Sequence, residues 1–165
     1  MPGRDDSFVF GPDMISALED IVPLRGKLLA VDFGDARTGL AVSDATGLLA
    51  SGIGCVKKDG IAATAQAVAD EAVKRGVSAV IVGLPRNMDG SEGYRAARCR
   101  EFAGRVHVLS GLPVVMTDER LTTVAASKYL NATDTRGKGR KAVIDSLSAE
   151  IILQNTLDRI KRMHA

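Results

Sequence analysis

Carboxylates stand in this chain where an apolar core should have none. Asp32 interrupts the run LLAVDF, between Val31 and Phe33. Asp118 and Glu119 together end the run VVMT. Asp145 sits inside AVIDSLSAEIIL, a strongly apolar helix-like stretch. A buried carboxylate is costly unless it is paired, hydrogen-bonded or bound to a cation. Each position has an ordinary reading. Asp32 can hydrogen-bond the turn that follows it, and Asp118 or Glu119 can cap a helix. Asp145 can be a solvent-facing polar position. Neighbours on a strand point to opposite faces, so only one of Asp118 and Glu119 can share a face with a site, and position alone does not say which. Three, four and seven residues after Asp145 come Ser148, Ala149 and Ile152, so the small side chains on its helical face let a carboxylate approach a sheet. Hard oxygen ligands without Cys or His suit Mg²⁺ or Mn²⁺. Such a centre suits phosphodiester hydrolysis, in which one metal activates water and a second, about 3.5–4 Å away, stabilises the leaving oxygen.

The cations around these acids point to phosphate. Arg37 follows the Asp32 strand, and a guanidinium matches phosphate geometry, although a hairpin salt bridge would use it equally. Arg136, Lys138, Arg140 and Lys141 cluster just before Asp145, as a nucleic-acid backbone contact would require. Arg95, Arg98 and Arg100 add positive charge or form a wet helix face. Amides around Gly90 and Gly93, at a helix N-terminus, are suited to a phosphate, but Asn87, Asp89 and Gly90 also make good turn chemistry. His107 and His164 have no partner spacing.

The elements that must position these residues follow from the apolar pattern. Leu28–Phe33, Gly39–Ser43 and Leu48–Val56 read as strands joined by Gly- and Asp-rich hairpin turns. Ile61, Ala65, Val68, Ala69, Ala72 and Val73 then recur at helical spacing up to Lys74. VSAVIVGLP and LPVVMTDE are continuous apolar runs, as strands buried on both faces are. Helices are expected from Glu92 to Leu109, from Thr122 to Leu130 and from Arg140 to Arg162, with NATDTRGKG as a polar loop. The expected fold class is therefore α/β. Its mixed five-stranded sheet has three antiparallel strands followed by parallel crossovers, with helices on both faces. Residues 1–26 form an N-terminal extension, with one short helix near Met14 to Asp20, set apart from a domain spanning 27–165.

The bulk numbers bound the remaining choices. One domain of 165 residues can bury a real core. With 45% hydrophobic and 25% charged residues, the chain is globular, not disordered. A net charge of +2 does not by itself mark a nucleic-acid binder, so a basic surface must come from local clustering. Cys55 and Cys99 make no metal-binding pattern and read as reduced thiols. No run approaches the roughly 18 apolar residues of a membrane span, and MPGRDDSFVFGPD is too polar for a signal peptide, so a cytoplasmic protein is expected. Aromatic residues make up only 4%, which leaves Tyr94, Tyr129 and Phe33 as the candidates for stacking on bases.

Four blocks together resemble the YqgF family, also called RuvX-like. VDFGDARTGLAVSD is similar to its DxGxxRxGxAxSD, VIVGLPRNMDGSEG to its VGLPxNMDGSEG, LPVVMTDERLTT to its DERLTT, and KAVIDSLSAEIILQ to its final helix. The blocks keep the family order from about Leu28 to Asp158. The resemblance implies an RNase H-like fold and a metal-dependent nuclease that processes the 5′ end of precursor 16S ribosomal RNA, with the ribosomal particle as a partner. It implies catalytic, metal-binding roles for Asp32, Glu119 and Asp145, choosing Glu119 over Asp118. Arg120, in the third block, joins Arg37, Arg136, Lys138, Arg140 and Lys141 as substrate contacts. Asp35 and Ala36 depart from the small-polar and basic pair usual in that turn, which puts its charge in question. Rival readings are resolution of four-way DNA junctions by a homodimer rather than action as a monomer, a nucleic-acid-binding module without catalysis, and an actin-like phosphotransferase, which would need two such domains.

Overall fold

The computed structural model describes residues 7–118 and 137–163, the stretch 137–145 by its backbone. Strands β1 (Leu28–Asp32), β2 (Thr38–Ser43) and β3 (Ala50–Val56) come first, then helix α1 (Ile61–Arg75), β4 (Ala79–Leu84), α2 (Tyr94–Ser110) and β5 (Val114–Asp118). The last element is α3 (Gly137–Met163). The five strands lie in the order β3-β2-β1-β4-β5. Pairing is antiparallel from β1 to β2 and from β2 to β3, and parallel from β1 to β4 and from β4 to β5.

The continuous apolar runs mark the strands with a helix over each face, as buried parallel strands require. Every residue of β4 is buried, and β1 is buried from Leu28 to Val31. Strand alternation then sorts the core into two layers. Leu29, Val31, Phe33, Val80, Val82 and Val114 pack with α1 and α2. Leu28, Ala30, Ala41, Ile81 and Val115 pack with Ala149, Ile152, Leu153 and Leu157 of α3. On the first face, Phe33 stacks on Phe102 with ring centroids 4.5 Å apart and planes at 13°. No helix among the described residues is long and apolar enough to cross a membrane.

Most boundaries fall within two residues of the sequence expectation, and three departures have a visible physical cause. β3 begins at Ala50, not Leu48, because the Leu48 and Leu49 amides both donate to Asp44 Oδ1 in the turn. The final helix begins at Gly137, so Gly137–Gly139 are helical and not loop. Two glycines there cost helix propensity of roughly 1 kcal/mol each, which the long packed stripe that follows outweighs. In the extension, one helix near Met14 to Asp20 is replaced by two 3-10 turns, Pro12–Met14 and Leu18–Ile21. Between them Ser16 bridges to Val115 and its amide donates to the Val114 carbonyl at 2.8 Å, which holds the backbone extended. Phe8, Phe10 and Met14 close over Gly104 of α2, where a Cβ would meet each of them at 3.0–3.1 Å. The expected helix Thr122–Leu130 lies outside the described residues.

Candidate metal centre at the carboxyl end of the sheet

Asp32 is the last residue of β1, partly exposed, directly opposite Gly39 of β2. Alternation puts its side chain on the face of Leu28 and Ala30, the face that α3 covers. On the other side, Val31 pairs with Val82, so the next row brings Asp32 beside Gly83. Gly83 pairs in turn with Thr117. The row therefore reads Gly39, Asp32, Gly83, Thr117. The two positions adjacent to the carboxylate in this row carry no side chain, a clearing among the row's own side chains.

The turn after Asp32 is fixed by Gly34. A Cβ there would lie 2.5 Å from the Arg37 carbonyl oxygen, so only glycine lets the chain double back. This places Arg37 on the exposed turn beside the acid. At the other end of β1 the buried Leu28 amide donates to Ser43 Oγ at 2.8 Å, which locks the hairpin register.

β5 separates the adjacent acids. Val115 packs on the α3 face, while Val114 and Met116 pack on the face of α1 and α2. Thr117 thus shares the Asp32 face and Asp118 does not. Glu119, Arg120 and Arg136 lie outside the described residues.

Helix α3 runs antiparallel to β1 across β3, β2 and β1. Gln154 Oε1 accepts from the Ala50 amide at 3.0 Å, and its Nε2 donates to the Leu48 carbonyl at 3.1 Å. Two turns nearer the helix N-terminus, Ser146 meets Gly52, where the Oγ occupies the space of a Cβ. From Gln154 to Ser146 the helix thus travels in the direction of β3 from Ala50 to Gly52, towards the row of Gly39 and Asp32. Asp145 occupies the position one turn before Ala149 and two before Ile152, both buried on the sheet. Its place on the helix is therefore on the sheet-facing stripe, at the end nearer Asp32. Lys138, Arg140 and Lys141 fall in the first turns of the same helix, not in a loop. Among the described residues, which exclude Glu119 and the Asp145 side chain, no group of three potential metal ligands forms.

The loop from Pro85 to Gly93 leaves β4 beside Asp32. Its turn chemistry is internal: the Asn87 amide donates to the Ser91 carbonyl at 2.9 Å, the Gly90 amide to the Asn87 carbonyl at 2.8 Å, and the Ser91 amide to Asp89 Oδ1 at 2.9 Å. These amides are used within the loop and are not offered to a phosphate. Arg100 holds Glu92 with two bonds of 2.7 and 2.8 Å, which keeps the Glu92 carboxyl below its usual range and raises Arg100. Arg100 is therefore a loop brace. Asp35, the unusual acid of the first turn, lies 3.6 Å from Arg98 Nε, so its charge is met locally.

Strand register adds features that sequence reasoning did not single out: Gly39 beside Asp32, and Gly52 and Gln154 against α3. Their signal is positional and appears only once the strands are in register.

Comparison with known proteins gives a consistent picture. The family model RuvX, Holliday junction resolvase, matches residues 26–159. A protein of Paracoccus denitrificans (strain Pd 1222) named "Putative pre-16S rRNA nuclease" is 40% identical over 147 residues, covering 89% of this chain and 93% of the relative. A protein of the same name from Jannaschia sp. (strain CCS1) is 43% identical over 148 residues, covering 88% and 92%. Among solved structures, T. thermophilus RuvC in complex with a Holliday junction substrate aligns with a TM-score of 0.54 at 17% identity, over 86% of this chain and 98% of RuvC. The two share the RNase H-like fold.

Proposed function

The chain belongs to the RuvX family, and we propose that it is a divalent-metal-dependent nuclease that trims precursor 16S ribosomal RNA at its 5′ end. The observation that carries this reading is Asp32, a carboxylate on the central strand, flanked in register by Gly39 and Gly83 on the face that α3 covers.

Asp32, Glu119 and Asp145 would hold Mg²⁺ or Mn²⁺. This all-oxygen donor set, with no thiol or imidazole, fits such hard cations. When bound, the metal activates water and neutralises charge on the phosphate under attack. The residues themselves do the rest. Asp118 faces away from Asp32, which supports the choice of Glu119, the acid that follows it in sequence, as the second acid of the set. Arg37 and Arg120, with Arg136, Lys138, Arg140 and Lys141, hold phosphates of the flanking strand, so that the scissile group lies over the clearing beside Asp32. Gln154 and Gly52 seat α3 so that Asp145 comes to the Asp32 end of the sheet. The relatives' names are the support for ribosomal RNA as substrate, and the ribosomal precursor particle is the partner this implies.

Resolution of four-way DNA junctions by a homodimer is the second reading, favoured by the family's description and by the fold shared with RuvC. Labelled precursor 16S ribosomal RNA and a four-way DNA junction, incubated side by side with Mn²⁺ and with chelator, decide between them. Metal-dependent cutting of the RNA supports processing, and symmetric nicking of the junction alone replaces it with resolution. Clean binding of either without cutting in any metal would demote the acids to structure.

A further inference from the structure

The acid site has a stacked column beside it that metal chemistry does not use. Phe33 follows Asp32 directly and turns to the opposite face of the sheet, where it lies on Phe102. The Arg98 guanidinium sits 5.9 Å from the Phe33 ring centroid. It also lies 5.7 Å from the Tyr94 ring centroid, and its Nη1 donates to the Tyr94 hydroxyl at 3.4 Å. Phe102, Phe33, Arg98 and Tyr94 therefore form a continuous ladder from the core to the surface. Its inner rings are buried, at 0% and 6% exposure, while Tyr94 is 75% exposed. Among the described residues Tyr94 is the only aromatic residue with most of its surface in water.

An exposed tyrosine alone would mean little. What distinguishes this one is its support. The cation beneath it lies within the roughly 6 Å over which a guanidinium and a ring attract each other. That cation also lies within 5.9 Å of the Phe33 ring centroid and 3.6 Å from Asp35. Tyr94 opens α2, so its backbone is set by the helix. The ring thus has one supporting cation in the protein, and most of its surface is turned to water. It stands two stacking steps from the residue next to Asp32.

We propose that Tyr94 is a stacking platform for one unpaired nucleobase of the bound strand, and that it selects single-stranded or frayed substrate over continuous duplex. The inference rests on the nuclease reading above and adds to it the conformation of the substrate. A base in a duplex has both its faces covered by neighbours, whereas an unpaired base can offer one to a protein ring. Stacking of this kind tolerates any base, because every base has a π-face.

The test uses the whole protein without divalent metal, so that cutting does not intrude. Two probes are compared by fluorescence anisotropy, a single-stranded RNA dodecamer carrying one 2-aminopurine and the blunt duplex of the same sequence. The expected result is that Tyr94→Leu weakens single-strand binding roughly 5- to 150-fold, the range measured for losing one base–aromatic stack. Duplex binding should stay within about twofold, and the salt dependence of binding should not change, since no phosphate contact is lost. Tyr94→Phe should bind as the wild type does and keep the 2-aminopurine quenched, while Tyr94→Leu should not quench it. An equal loss on both probes, or no loss on the single strand, would overturn the proposal while leaving the nuclease reading in place. Failure of the wild type to bind either probe would overturn the nuclease reading itself and this proposal with it. Thermal unfolding of Tyr94→Leu should match the wild type, because the side chain is mostly in water.

Discussion

Ser146 of α3 occupies the space that a side chain at Gly52 of β3 would need: a Cβ at Gly52 would lie 2.9 Å from Ser146 Cβ and closer still to its Oγ. The start of the described α3 contacts is therefore set by an absent methyl group on an edge strand. Asp145 is the residue before Ser146, so the approach of the helix to the sheet at this point decides where the third acid of the proposed centre is held.

Replacing Gly52 tests that relationship. Gly52 has no unusual backbone conformation, so a side chain there meets only Ser146 and Glu150. Gly52→Val should lift the first turns of α3 and destabilise the fold by about 1–3 kcal/mol, as overpacking does. Metal-dependent cleavage should fall by far more than the folded fraction falls. Denaturant unfolding and initial rates on the same preparation separate the two effects. Unchanged cleavage in a folded Gly52→Val protein would show that the helix position does not govern the site.

Gln154 is the second fastening. Its amide satisfies the Ala50 N–H and the Leu48 carbonyl from across the β2–β3 hairpin. Gln154→Leu leaves both backbone groups without that partner and should cost about 1–3 kcal/mol in urea unfolding, the range for an orphaned polar group. Water can reach part of this edge, so the lower end is expected.

The turn that Gln154 grips carries its own pH dependence. The Asp44 carboxyl is pulled from 3.8 down to about 2, first by the Thr46 hydroxyl and then by the Leu49 and Leu48 amides. A depressed carboxylate stabilises the fold at pH values above its unfolded pKa, and this contribution is lost as the pH falls towards the folded value. The turn should therefore weaken between about pH 4 and pH 2. An NMR titration of the Asp44 side chain should show a midpoint near 2. In Thr46→Val the midpoint should move up towards 3.8, and no movement would remove Thr46 as the main cause.

Much of this arrangement was legible in the sequence because buried strands leave an unmistakable trace. LLAVD and AVIVGL are continuous apolar runs, and both turned out to be central strands buried on both faces. Asp32 stood out for the same reason, as a charge within such a run. The seating of the site was not legible, because it depends on register. Nothing in the spacing of Gly39 or Gly83 says that they flank Asp32; only the pairing of β1 with β2 and β4 does. Strand spacing alone could not tell Asp118 from Glu119; the alignment of β5 with β4 turns Asp118 away from the Asp32 face. The path of the extension also escaped local pattern, since Ser16 is held by Val114, nearly a hundred residues away in the chain. Arg98 and Arg100 look alike on α2, yet one supports a ring and the other braces Glu92.

Cleavage of labelled precursor 16S ribosomal RNA by the wild type and by Asp32→Asn, each with Mn²⁺ and with chelator, tests the central claim most directly. Asp32→Asn keeps the shape of the side chain at a partly exposed strand end, so the fold should survive it. The account predicts cutting by the wild type only with metal. In Asp32→Asn it predicts a loss of at least about 100-fold, the scale seen when one preorganised electrostatic group is removed from a reacting centre. Full activity in Asp32→Asn, or wild-type cutting that persists in chelator, would contradict it.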